Sequence, residues 1–124
     1  MTTDAPAPVE IKLLQKSRIL ELNFPEGEKF SLSCEYLRVH SPSAEVKGHG
    51  GGEGILQVGK KDVNIIGIDP VGNYGLKFIF DDGHDSGIFT WDFLFDLGIG
   101  HEKNWQRYLE RLEEAGMSRE AKKA

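Results

Sequence analysis

Between Tyr74 and Phe80, four large apolar residues, Tyr74, Leu76, Phe78 and Phe80, occupy every second position. A period of two puts them on one face of an extended chain and on no single face of a helix, so the segment reads as a strand with one buried side. Asp81-Asp82-Gly83-His84 follows, and its Asp-Gly pair tolerates the positive φ of a hairpin tip. Gly87, Ile88 and Phe89 then read as the returning strand. A chain with this hairpin needs other elements to cover an aromatic face, which sets the terms for everything else in the sequence.

The remaining segments supply that cover. Val9, Ile11 and Leu13 alternate with Glu10 and Lys12, and Leu20, Leu22 and Phe24 alternate with Glu21 and Asn23, giving two half-buried strands. Phe24-Pro25-Glu26-Gly27 is a turn, and Lys29 to Leu32 returns antiparallel, so the first third is a meander. Ser33 is the N-cap of a short helix, Cys34–Val39. Val63, Ile65, Ile66 and Ile68 form a further strand, with a turn at Pro70-Val71-Gly72-Asn73. Thr90 caps a helix at Trp91–Leu97, with Asp92 in its first turn and Gly98 and Gly100 ending it. Its apolar positions, 91, 93, 94, 95 and 97, surround the axis, so part of that surface calls for cover by a partner or by the C-terminal helix. That last helix, Glu102 to Glu114, carries Trp105, Tyr108, Leu109 and Leu112 as one stripe, and Gly116 stops it. Strands dominate without βαβ alternation. The expected class is α+β, a small, mainly antiparallel β-sheet with short helices and a C-terminal amphipathic helix.

A length of 124 residues fits one domain. Its expected limits are a disordered tail at 1–8, the domain at 9–116, a mobile Gly-rich loop at 44–54 within His40 to Gly54, and a frayed end at 117–124. The start has neither the basic nor the apolar region of a signal peptide, and no apolar run nears the ~20 residues of a membrane span. The expectation is a cytoplasmic protein without membrane contact. One cysteine, Cys34, permits no internal disulfide and excludes a cysteine-rich zinc finger. A net charge of -5 argues against nucleic acid, which needs clustered Lys and Arg.

Several chemistries suggest themselves for these residues. His40, His49, His84 and His101 lie among acids but lack a zinc-ligand spacing, and they read as exposed loop histidines, His84 having the best-fixed direction. Cys34 near a helix start could be an activated thiol, yet a buried free cysteine usually behaves as a small hydrophobe. Ser41 and Ser43 lack the strand–turn–helix setting of a hydrolase nucleophile. Gly48-His49-Gly50-Gly51-Gly52-Glu53-Gly54 lacks the following helix and correctly spaced Lys of a phosphate loop. No His is followed two positions later by Asp or Glu, which excludes an oxygenase iron site. Phe78, Phe80, Phe89, Trp91, Phe93, Phe95 and Trp105 neighbour Asp81, Asp82, Asp92 and Asp96, so core packing explains them better than base stacking.

Taken in order, Leu37-Arg38, Ser41-Pro42-Ser43-Ala44, the Val71-Gly72-Asn73-Tyr74 turn, and Asp82-Gly83-His84 followed by Gly87-Ile88-Phe89-Thr90-Trp91 resemble the gamma-butyrobetaine hydroxylase-like N-terminal domain, also known as domain of unknown function 971. The resemblance runs from about Val9 to Leu97 and is similar to the stand-alone bacterial form. It implies a small, mostly β domain that elsewhere precedes a 2-oxoglutarate oxygenase domain or is appended to Mrp-type P-loop ATPases carrying iron–sulphur clusters. In the hydroxylases the domain holds zinc with three cysteines and a histidine. The histidine corresponds to His84. The family's Leu-Arg-x-x-Cys-Pro-Cys-Ala-x-Cys string places the cysteines at Ser41, Ser43 and Val46, so three of four ligands are lost.

The resulting expectation is a non-enzymatic accessory or protein-interaction module with a degenerate zinc site and no cofactor. Its surface would be drawn from His40, His49, Asp82, His84 and Trp91. It would serve an unidentified protein partner, with a link to iron–sulphur or redox proteins. The alternative is a zinc- or iron-binding protein using His84 with His40, Glu45 and His49.

Overall fold

Peptide groups in the N-terminal third pair locally, because turns at 15–18 and 24–27 are short enough to return each strand on its neighbour. A computed structural model describes residues 5–47 and 54–120. In it β1 (Glu10–Leu14), β2 (Ile19–Asn23) and β3 (Lys29–Ser33) form one antiparallel sheet in the order β1-β2-β3. The second sheet, β4 (Ile65–Val71), β5 (Gly75–Phe80) and β6 (Ile88–Thr90), is antiparallel in the order β4-β5-β6. Between the sheets run α1 (Cys34–Val39) and the single turn α2 (Ala44–Lys47); after them come α3 (Trp91–Ile99) and α4 (His101–Ala115). The class is α+β, as the alternation patterns require, with the strands divided between two sheets.

One core joins the sheets. Leu20, Leu22 and Leu32 from the first meet Ile65, Leu76, Phe78, Phe80 and Phe89 from the second, with Tyr36, Leu37, Leu94 and Leu97 between them. The aromatic set is therefore largely structural: Phe78 packs on Phe89 with ring centroids 4.8 Å apart. Alternation predicted burial correctly for Leu76, Phe78 and Phe80, but Tyr74 is 54% exposed, because the chain is still turning at that position. The turn sits at Gly72-Asn73, with Pro70 inside β4; β4 is an edge strand, where a residue without an N–H is tolerated. Val9 and Ile11 also stay open, since β1 is an edge strand of which only Leu13 reaches the core.

Both caps predicted from sequence are present. Ser33 accepts from the Tyr36 amide, and Thr90 from the Phe93 amide. Several boundaries differ. Gly98 does not end α3 but lies within it, where the Phe30 ring occupies the space a side chain would need. Much of the apolar circumference of α3 is covered from within the chain: Phe95 meets Phe24 and Phe30, Phe93 meets Phe89 of the second sheet, and Leu94 and Leu97 face the core, while Ile99 stays exposed. Residues 117–120 are tied down rather than frayed, since Ser118 and Arg119 carbonyls accept from the Gly59 and Lys61 amides. At the other end Ala5 donates to Asp92 and packs on the core. Within the expected mobile loop, 44–47 is the α2 turn with Val46 buried; 48–53, with His49, lies outside the described residues.

Candidate functional site

The segment after α1 is brought against the β5–β6 hairpin by short side chains. Arg38 to Val46 crosses beneath the tip, and Gly87 lies so close that a Cβ there would collide with the Ser41 hydroxyl. His84 is 5% exposed, and its Nε2 lies 2.9 Å from Ser41 Oγ. Ser41 Oγ also accepts from the Ser43 amide at 3.3 Å, and the Ser43 and Ser86 hydroxyls are 2.7 Å apart. Val46 donates its amide to the Ser43 carbonyl at 2.9 Å and buries its side chain. Ser41, Ser43, Val46 and His84 are thus all buried, and hydrogen bonds link them one to the next. Such a donor set does not fit zinc: valine supplies no lone pair, and neutral hydroxyls are poor ligands. Every buried side-chain nitrogen and oxygen among the described residues has a partner.

For the three histidines among the described residues, the expectation of exposed loop positions is corrected. His84 turns inward because the turn at 80–83 directs the chain back under α1. His40 is half-buried, its Nδ1–H donating to the Tyr36 carbonyl at 2.9 Å and its ring against Tyr36 and Tyr108. Burial pushes the His40 pKa down; the Tyr36 carbonyl opposes this, while Lys47, Arg111 and His101 add to it. His101 begins α4 with its ring centroid 4.5 Å from that of Tyr36. Glu45 lies in α2, and among the described residues no group of three or more His, Cys, Asp or Glu could hold a metal ion.

Asp82 is the electrostatic centre of the tip. Its Oδ2 accepts from Arg38 at 2.8 Å and Lys60 at 2.6 Å, and its Oδ1 from the His84 amide at 3.1 Å. Burial pushes the carboxyl up, but Lys60, the His84 amide and Arg38 together outweigh it and hold the pKa at about 2. Trp91 is half-buried and donates its indole N–H to the Asn73 carbonyl at 2.7 Å. Cys34 is fully buried, its thiol 3.7 Å from Asn64 Oδ1, and burial pushes its pKa up, the reverse of an activated nucleophile.

Two groupings have no counterpart in the sequence reading. Arg119 forms a two-pronged ion pair with the buried Glu35 at 2.6 and 2.9 Å and lies over the Trp105 ring. On the far side of α1, His40, Lys47, Asn104, Arg107, Tyr108 and Arg111 line a cleft of about 180 Å³. Tyr108 is pushed up to about 12 by burial and by Glu35, with Arg119 and Arg111 pulling the other way. The spacing of Arg107 and Arg111, one helical turn apart, was the available sequence signal; Lys47 could not be added to them without the fold.

The family model described as gamma-butyrobetaine hydroxylase-like, N-terminal, matches residues 11–95. Two NMR solution structures are similar at 46% and 51% identity, each with a TM-score of 0.83; they cover 97% and 98% of this chain and 94% and 92% of their own. A crystal structure of a protein of unknown function from Acidithiobacillus ferrooxidans, assigned to the DUF971 family, is 37% identical with a TM-score of 0.62, over 73% of this chain and 91% of its own. No curated protein matches the chain. With the matched span covering the strands, the serine-bearing segment and the hairpin histidine, the chain belongs to the gamma-butyrobetaine hydroxylase-like N-terminal domain family.

Proposed function

We propose that this protein is a non-enzymatic accessory module that acts by binding, and that it has exchanged its family's zinc site for a hydrogen-bonded serine–histidine lock. The observation that carries the reading is the Ser41–His84 contact at 2.9 Å, with Ser43 and Val46 at the other inherited positions. A lock of this kind fastens the hairpin to the segment after α1, the task a structural metal performs elsewhere. The non-enzymatic part is supported by chemistry: the thiol is buried away from a base, and the best-placed histidine faces hydroxyls within the core. The redox-protein link rests on the family resemblance alone, and no helix among the described residues is long and apolar enough to cross a membrane.

Metal analysis of the purified protein is expected to find no stoichiometric zinc or iron, and a chelator to leave Tm unchanged. Stoichiometric metal, or a Tm that falls on chelation, overturns the metal-free reading. Titration of zinc into the wild type and into His84→Ala tests the rival set His84, His40, Glu45 and His49: tight binding abolished by the substitution would establish it.

A further inference from the structure

The cleft between α1, α2 and α4 collects positive charge in a protein whose net charge is -5. Lys47 comes from α2, Arg107 and Arg111 from α4, and Asn104 adds an amide beside them. Long-range attraction of anions by the whole molecule is unfavourable, so any anion held here is held by the local cluster. Lys47 and Arg111 already act on the cleft wall, where both disfavour a proton on His40. Arg111 is aimed by a bond to the Gly54 carbonyl at 2.9 Å, and Arg107 reaches Glu110 and Glu114 at 3.3 and 3.5 Å. Those two glutamates are largely exposed, and exposed pairs contribute little, so a better anion displaces them readily.

We infer that this cleft is a binding site for a phosphate-class dianion, gripped by Lys47, Arg107 and Arg111. Its volume of about 180 Å³ is below the ~300–1,000 Å³ of sites that engulf a whole metabolite. It therefore suits one anionic group, either free or as the end of a larger molecule. Lys47, whose Nζ lies 5.4 Å over the Phe93 ring, and Arg111 join Arg107, which two exposed glutamates partly offset; this cluster favours a dianion over a monoanionic carboxylate, because each Coulomb contribution doubles with the ligand's charge. Guanidinium forks match tetrahedral oxyanions, and a lysine adds a point charge. This assignment rests on the binding reading above but not on the absence of metal.

The test is an amide NMR titration of the full-length protein with inorganic phosphate at constant ionic strength and with chelator present. Saturable shifts confined to 39–47, 54–57 and 104–111 are expected, with Kd of about 1 mM or tighter. Lys47→Gln, at an exposed position, and Arg107→Gln, at a half-buried one, should each weaken binding about tenfold, the effect of one charge-assisted hydrogen bond. Lys12→Gln, on exposed β1, should leave it unchanged. Parallel titrations with O-phosphoserine and pyrophosphate identify the source: tighter binding of either supports the site and names the form it takes. Shifts that do not saturate, equal shifts with acetate, or equal weakening by Lys12→Gln would overturn the assignment. Should metal analysis find zinc while phosphate still binds the cleft, the metal-free reading fails and the anion site stands.

Discussion

Asp82 shows how a loop residue becomes structural. Its carboxylate receives Arg38, Lys60 and the His84 amide, so the ionised form is favoured in the fold and its pKa is held at about 2 against an ordinary 3.8. A folded-state pKa below the unfolded one means that the folded state binds fewer protons. The stabilisation is therefore complete above about pH 4 and is lost as the pH falls towards 2. Acid titration of the unfolding free energy is expected to show this loss in wild type, and Asp82→Asn should flatten that part of the curve. A second residue-scale case is Glu35, buried and paired in two-pronged fashion with Arg119. Removing the arginine strands a buried carboxylate, which costs ~3–5 kcal/mol for fully buried pairs. Because Arg119 is partly exposed, urea denaturation of Arg119→Ala should show a loss of about 2–3 kcal/mol. Arg119→Lys should recover part of it, as charge returns without the fork.

Among the elements, α3 shows why periodicity has a ceiling. Its apolar positions encircle the axis, which from sequence argues for cover by a partner or by the C-terminal helix; in the fold both sheets and α4 touch it, burying Leu94 and Leu97 and half-burying Trp91, Phe93 and Phe95. Gly98 permits the closest of these approaches. An added Cβ would sit 2.5 Å from the Phe30 ring, which Phe24 and Phe95 hold edge-on from two sides. Alanine's helix propensity favours Gly98→Ala by about 1 kcal/mol, whereas overpacking typically costs ~1–3 kcal/mol. Since the ring has little room to give, the expected outcome is a net loss of about 1 kcal/mol by thermal or chemical denaturation.

For the whole molecule, hydrophobic burial across the two sheets, joined by the Ser41–His84 contact, holds the hairpin against α1. Ser41 and His84 face each other across this junction, their atoms 2.9 Å apart. If the proposed lock stands where relatives hold zinc, replacing Ser41, Ser43 and Val46 together by cysteine should create a three-cysteine, one-histidine site. The triple variant is expected to bind one zinc per chain and gain Tm on doing so, while wild type gains nothing. Calorimetry and a metal-dependent melt check both points, and absence of binding would show that the positions no longer converge.

Local periodicity and capping chemistry sufficed for much of the fold. The Leu76–Phe80 alternation, the Ser33 and Thr90 caps, the Gly27 and Gly83 turns and the αL stop at Gly116 appear where the residues placed them. Each depends on neighbours within a few positions, so a linear reading reaches it. Burial of His84, the ion pair of Glu35 with Arg119 and the meeting of Lys47 with Arg107 and Arg111 depend on residues about 40 to 85 positions apart. Which polar groups leave water, and which charges share a cleft, is settled only when long-range packing closes. That is the physical reason the strands and helices were legible in the sequence while the character of the candidate sites belonged to the tertiary structure.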